Sequence, residues 1–259
     1  MNVYTLPPPN RLKRILFPAK PRFYLITMAA LLLFFTGIMS VYLAIPLIAL
    51  IVLTRNRTVF LTKNFGMSVG TVIIPLTTLL LFSLTGMCFN IEPEHSYQWI
   101  DRAYYITKAY YPNLLEELQT KLTGLTSAFF VSLIIAWLLV STDELNVYIP
   151  VRTAVILMLI VFAIFMHNKY VIHPINLALM LFLGLLVVDS YTALTLAKKH
   201  PDIKYVVGGA GLEDAIIMVY SILGSAVAIL VRNYGDFEPR YPFTLVNELI
   251  SIATTYIHT

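Results

Sequence analysis

Charged side chains are scarce in this chain, and that scarcity decides its class. Only 12% of its 259 residues are Asp, Glu, Lys or Arg while 58% are hydrophobic, and the mean hydropathy is +0.78. Soluble domains carry about a quarter charged residues, so a soluble globular protein is excluded. A single cysteine, Cys88, rules out an intrachain disulfide and a cysteine-based metal cage. No Walker, Rossmann or zinc signature occurs, so no cofactor or metal is expected. Nor does any apolar run alternate at period two, as a transmembrane barrel strand must. The excess of basic residues is small, +4 overall. It sits in short clusters beside apolar runs, which fits membrane orientation and not nucleic-acid binding.

What is present is a series of long apolar runs, which predicts an all-α, polytopic transmembrane bundle of about six to seven segments. Residues 1–22 form a basic N-terminal segment with Arg11, Lys13, Arg14, Lys20 and Arg22, no acid and no evident cleavable leader; its charge argues for a cytoplasmic N-terminus. Phe23 to Leu53 is one run of 31 residues, about 46 Å as continuous helix and too long for one upright span. The loop after it, with Arg55, Arg57 and Lys63, is basic as well. Both flanks share a side if the run turns back near Gly37 to Ser40, so a hairpin of two short helices is favoured over one tilted helix.

Phe65 to Phe89 reads as a span with Pro75 in its middle. Asn90 to Thr123 is the long polar segment, with five acids, three bases and many aromatics; it predicts amphipathic helices at the outer surface or a lid over the bundle. Spans follow at Leu125 to Val140, Thr153 to Met166, Ile175 to Ala197 and Tyr205 to Val231. The bundle thus covers 23–231, with an outer loop at 90–123. An amphipathic interfacial tail completes the chain over 232–259, and the C-terminus is expected outside. Partners are expected to be the lipid bilayer and membrane proteins docking through 90–123 and 243–257. His167, His173 and His200 flank helix ends and read as solvated interfacial residues.

Candidate chemistry gathers between Leu186 and Ser225. Asp189 lies nine residues before Lys198, about 13 Å into its helix, and an acid at membrane depth is a functional-site hypothesis. Glu213 and Asp214 open the next segment. Asp214 reads either as a helix N-cap or as a partner of Asp189 sharing a proton with it. Asp214, Ser221 and Ser225 recur on one helix face, and Asp189 and Thr192 share a face of the preceding helix, so together these six residues outline a polar intramembrane site.

Two resemblances attach to these residues. The stretch Gly208-Gly209-Ala210-Gly211-Leu212-Glu213-Asp214 is similar to a GGAGxxD motif in an uncharacterised prokaryotic multi-pass membrane family. More distantly, an aspartate on one helix followed across a turn by GLEDAIIMVYSILGSA resembles the GxGD, presenilin-like intramembrane aspartyl proteases. In those the two aspartates lie on the sixth and seventh helices, as Asp189 and Asp214 do in this reading. Here Glu213 stands in the place of that family's glycine, and no Pro-Ala-Leu motif follows. The leading expectation is a non-enzymatic transport, channel or complex subunit that uses Asp189 and Asp214 in an ion path or helix contact. The alternative is an intramembrane aspartyl protease with these two residues as its catalytic dyad.

Overall fold

The computed structural model describes residues 21–39, 41–85, 87–91, 106–110, 114–142, 147–167 and 172–233. The long first run is indeed divided. Helix α1 spans Pro21–Ile38 and α2 spans Val41–Thr54, with a break after Ile38. The Arg55 guanidinium, just past α2, lies 5.3 Å from the centroid of the Tyr24 ring near the start of α1, so the two helices fold back as a hairpin.

The next stretch departs from the expected span. Thr58–Phe60 (β1) and Phe65–Ser68 (β2) are antiparallel strands. Val69–Ile73 is a π-helix, and α3 covers only Ile74–Thr85. Apolar composition alone does not separate a buried strand from a helix; here pairing with other strands decided it. Pro75 lies in the first turn of α3 and not at mid-span, directly after the π-helix, whose Val69 O accepts the Ile74 N–H. Met87–Ile91 (β3) pairs antiparallel with Ile106–Tyr110 (β4). These strands stand where the sequence suggested a span end and amphipathic helix.

Helix α4 begins at Leu114, earlier than expected, and runs to Leu139 with non-helical angles at Lys121. The short strands Ser141–Thr142 (β5) and Val147–Tyr148 (β6) link it to α5, Val151–His167. Helix α6 spans Pro174–Lys199, β7 is Tyr205–Val207, a 3-10 turn covers Gly211–Glu213, and α7 spans Ala215–Asn233. The expected segment at 205–231 therefore opens with a strand and a glycine turn, and its helix starts at Ala215. The expected tail, 243–257, lies outside the described residues, as do most of the outer-loop aromatics.

Among the described residues the architecture is thus a bundle of seven α-helices with small strands at its ends. Two of them, over Glu117–Leu139 and Pro174–Lys199, are long and apolar enough to cross a membrane, and the other five are shorter apolar helices. Helix α7 is central, with Ile216, Ile217, Val219, Tyr220 and Val227 nearly inaccessible. Exposed leucines and isoleucines instead mark α1 to α5, among them Leu32, Ile45, Leu81, Ile134 and Ile160. An apolar exterior of this extent suits lipid and not water.

The closest pairings are α1 with α7 and α4 with α6. Ser225 Oγ donates to Ala30 O at 2.8 Å, and Ser132 Oγ donates to Leu181 O. Small residues let backbones approach in this way. At Gly37 the approach is so close that an added Cβ would stand 2.5 Å from Ala228 Cβ. Gly37→Val should therefore lower stability by about 1–3 kcal/mol through overpacking. Leu138, 77% exposed, serves as the comparison: Leu138→Ala should change stability by less than about 0.5 kcal/mol. Thermal unfolding in one detergent measures both.

Candidate functional site

The basic loops converge on one end of the bundle. Strand β2 pairs with β1 on one side and, in parallel, with β7 on the other. The Asn64 side-chain amide donates to Ala197 O near the end of α6, Tyr205 N donates to Asn64 O at 2.9 Å, and Lys204 Nζ lies 5.1 Å from the centroid of the Phe60 ring. Arg152, at the start of α5, lies 5.7 Å from the Phe23 ring centroid. The β1–β2 hairpin, the α6–α7 connection and the starts of α1 and α5 thus share this end.

Strand β7 leads into the glycine turn, where Gly208 has φ +73°, a left-handed conformation that glycine adopts without steric cost. Thr71 of the π-helix donates its hydroxyl to Gly208 O at 2.8 Å, and Ser68 Oγ donates to Arg55 O at 2.8 Å. The π-helix is thereby tied to both the glycine turn and the end of α2. Wide π turns inside helices recur at functional sites.

The turn delivers Asp214 to the start of α7. Its Oδ1 accepts the Ile216 N–H at 2.9 Å and its Oδ2 accepts the Ala210 N–H at 3.4 Å. The N-cap reading of this residue therefore holds. Burial still pushes the Asp214 carboxyl above the usual carboxylate range, against the pull of those two N–H groups. Capping does not isolate Asp214, because the Asp189 and Asp214 carboxylates lie within electrostatic reach of each other. Asp189 is half-buried on α6. Among the described residues none donates a hydrogen bond to it; the neighbouring group that acts on it is the like-charged Asp214.

The other expected members of the site are placed differently. Thr192 donates to Val188 O at 2.8 Å within its own helix. Ser221 donates to Met218 O at 3.0 Å, and Ser225 divides its donation between Ala30 O and Ser221 O. The two serines serve helix packing, since their hydroxyls are committed to carbonyls, and they do not extend a polar path from Asp214. Glu213 closes the 3-10 turn.

A second polar cluster, at the opposite end, was not foreseen. Glu117 is only 1% exposed. Its Oε1 accepts the His173 N–H at 2.7 Å and lies 3.4 Å from Lys121 Nζ, while its Oε2 accepts the Asn176 side-chain amide at 2.8 Å. The contact ties the first turn of α4 to the start of α6. His173, expected to be solvated, is buried at the N-cap of α6. The legible signal was His173 and Asn176 at i, i+3 opening a helix; that Glu117 turns inward was not legible. Among the described residues no group of three or more His, Cys, Asp or Glu could hold a metal.

Comparison with protein-family models, curated proteins and solved structures returns no match.

Burial, and then the Lys121 charge, hold His173 down to about 4 from the ordinary 6.5. Above pH 6.5 both folded and unfolded forms are neutral, so this residue adds no pH dependence there. As pH falls from 6.5 toward 4 only the unfolded chain gains the proton, and stability drops by about 3 kcal/mol at about 1.4 kcal/mol per unit. Below about 4 the loss levels off. His173→Gln should remove this component, so the stability difference between the two proteins should shrink or reverse between pH 7 and pH 4.

Proposed function

We propose that the protein is an intramembrane aspartyl protease with Asp189 and Asp214 as its dyad. The feature that supports this reading is that the Asp189 and Asp214 carboxylates lie within electrostatic reach of each other, on α6 and at the start of α7. Two carboxylates that meet in apolar surroundings do not both ionise readily, so a dyad of Asp189 and Asp214 would hold one proton between them. One carboxylate then takes a proton from water as the water oxygen adds to the peptide carbonyl carbon. Its protonated partner gives its proton to the carbonyl oxygen. The gem-diol collapses as the C–N bond breaks, the amine leaves with the first proton, and the second aspartate recovers one from the diol. A carboxylic acid and an amine are released, and the pair again holds a single proton.

Two further features support this assignment. The sheet order β1-β2-β7 leaves β7 as an outer strand among the described residues, a few residues before Asp214, and such an edge accepts an extended peptide through main-chain hydrogen bonds. The basic loops at this end are taken as cytoplasmic by the positive-inside rule. That orientation gives seven crossings, an outer segment at 90–123 and a dyad near the cytoplasmic boundary.

One observation favours a second, non-enzymatic reading, in which the acids serve an ion path or fix helices within a transport or complex subunit. Both Asp214 oxygens already accept backbone N–H groups, a role sufficient in itself to keep an aspartate there. Asparagine caps a helix about as well as aspartate, so Asp214→Asn separates the readings. For the protease, purified Asp189→Asn and Asp214→Asn proteins should each lose cleavage of a transmembrane peptide by about 100-fold or more, with thermal stability nearly unchanged for Asp214→Asn. Undiminished cleavage in either variant, or no cleavage by the parent protein across a panel of transmembrane peptides, would remove the dyad and leave the second reading.

A further inference from the structure

At the basic end, the last turns of α4 and α6 and the strand β5 border a cleft of about 300 Å³ that opens on the outer surface of the bundle. Its character changes along its length. Trp137 and Tyr191 form one part, their ring centroids 5.9 Å apart, and each is more than half exposed (55% and 57%). Leu196 continues the apolar wall, and Thr142 and Lys199 form the other part. Tyr191 and Lys199 are eight residues apart, about 12 Å along the helix. Amphipathic aromatic rings of this kind sit at the headgroup level of a membrane.

We propose that this cleft seats an anionic phospholipid, with its phosphate on Lys199 and Thr142 and its glycerol and upper acyl chain along Leu196, Tyr191 and Trp137. The inference rests on α4 and α6 lying in a membrane and not on the chemistry of the acidic pair. Charge complementarity selects the ligand. This end of the molecule carries Arg22, Arg55, Arg57, Lys63, Arg152, Lys198, Lys199 and Lys204 against Asp189, Asp202, Glu213, Asp214 and, by sequence, Asp143 and Glu144, so bases outnumber acids by eight to six. Lys199 forms no ion pair among the described residues and is exposed where it lines the cleft. A soluble anion has no use for the aromatic wall beside that ammonium, whereas a phospholipid matches both parts at once. Basic pockets between transmembrane helices on the cytoplasmic side bind anionic headgroups in this way.

The chain has two tryptophans, which makes the site directly observable. In a Trp99→Phe background, Trp137 is the remaining fluorophore of its kind. The protein is placed in nanodiscs containing graded fractions of brominated phosphatidylglycerol or brominated phosphatidylcholine, whose acyl bromines quench nearby indole. The anionic lipid should reach half-maximal quenching at a mole fraction about fivefold lower than the zwitterionic one, the effect of about one lysine charge at a membrane surface. Lys199→Gln should abolish that preference, and Lys198→Gln, which removes the same charge from the adjacent residue outside the cleft, should keep it. The proposal is overturned by equal quenching with the two lipids in the Lys199 protein, by equal effects of the two lysine substitutions, or by relief of quenching on adding inorganic phosphate. The last result would mark a site for the free anion.

Discussion

The first turn of α7 is enclosed at Ala215, Ile216 and Ile217, and the N–H groups that every helix start leaves unpaired need partners there. Asp214 answers that constraint by accepting the Ile216 N–H, and most of the local structure serves to put its carboxylate there. Strand β7 is fixed by parallel pairing with β2. Gly208 turns the chain in a left-handed conformation, and Thr71 holds that turn by its carbonyl. The 3-10 turn brings the Ala210 N–H back onto the second carboxylate oxygen. Because α7 is also the most enclosed helix, a group at its base sits between the end of α6 and the sheet. The cap thereby also sets Asp214 within electrostatic reach of Asp189.

The membrane class and most helix positions were legible because they depend on local composition and charge. The break after Ile38 is an example: two basic flanks with 31 apolar residues between them leave a hairpin as the economical solution, and the contact of Arg55 with Tyr24 bears it out. Contacts between distant segments were not legible. The strand at Phe65–Ser68 pairs with Tyr205–Val207, roughly 140 residues further on, and nothing in FGMS announces that partner. Its apolar run therefore read as the start of a helix. The same limit hid Glu117, whose neighbours suggested a surface segment. Its donors, His173 and Asn176, arrive only when α4 and α6 pack side by side.

The serine stripe of α7 shows a subtler limit. Periodicity correctly put Ser221 and Ser225 on one face, but it does not say what that face meets. The neighbour is the backbone of α1 at Ala30, a carbonyl that accepts a hydroxyl and allows close helix approach. In an apolar interior a serine often works as a small packing residue with a local hydrogen bond, so an aligned set of serines is weak evidence for a polar channel.

The treatment of the buried acids separates structure from chemistry within this one chain. Glu117 receives a backbone N–H, a side-chain amide and a nearby ammonium, the provision that a carboxylate needs when it serves to tie two helices together. Asp214 receives two backbone N–H groups. Asp189 lies on the same helix that Glu117 clamps at its other end, yet it receives no donor from the described residues and has the like-charged Asp214 within electrostatic reach. A helix clamp at that position would be better built with donors around it, as Glu117 is, or with an apolar side chain that avoids the desolvation cost altogether. The two ends of α6 thus differ in how an acid is provided for: Glu117 is given donors that tie α4 to α6, and Asp189 is given none among the described residues.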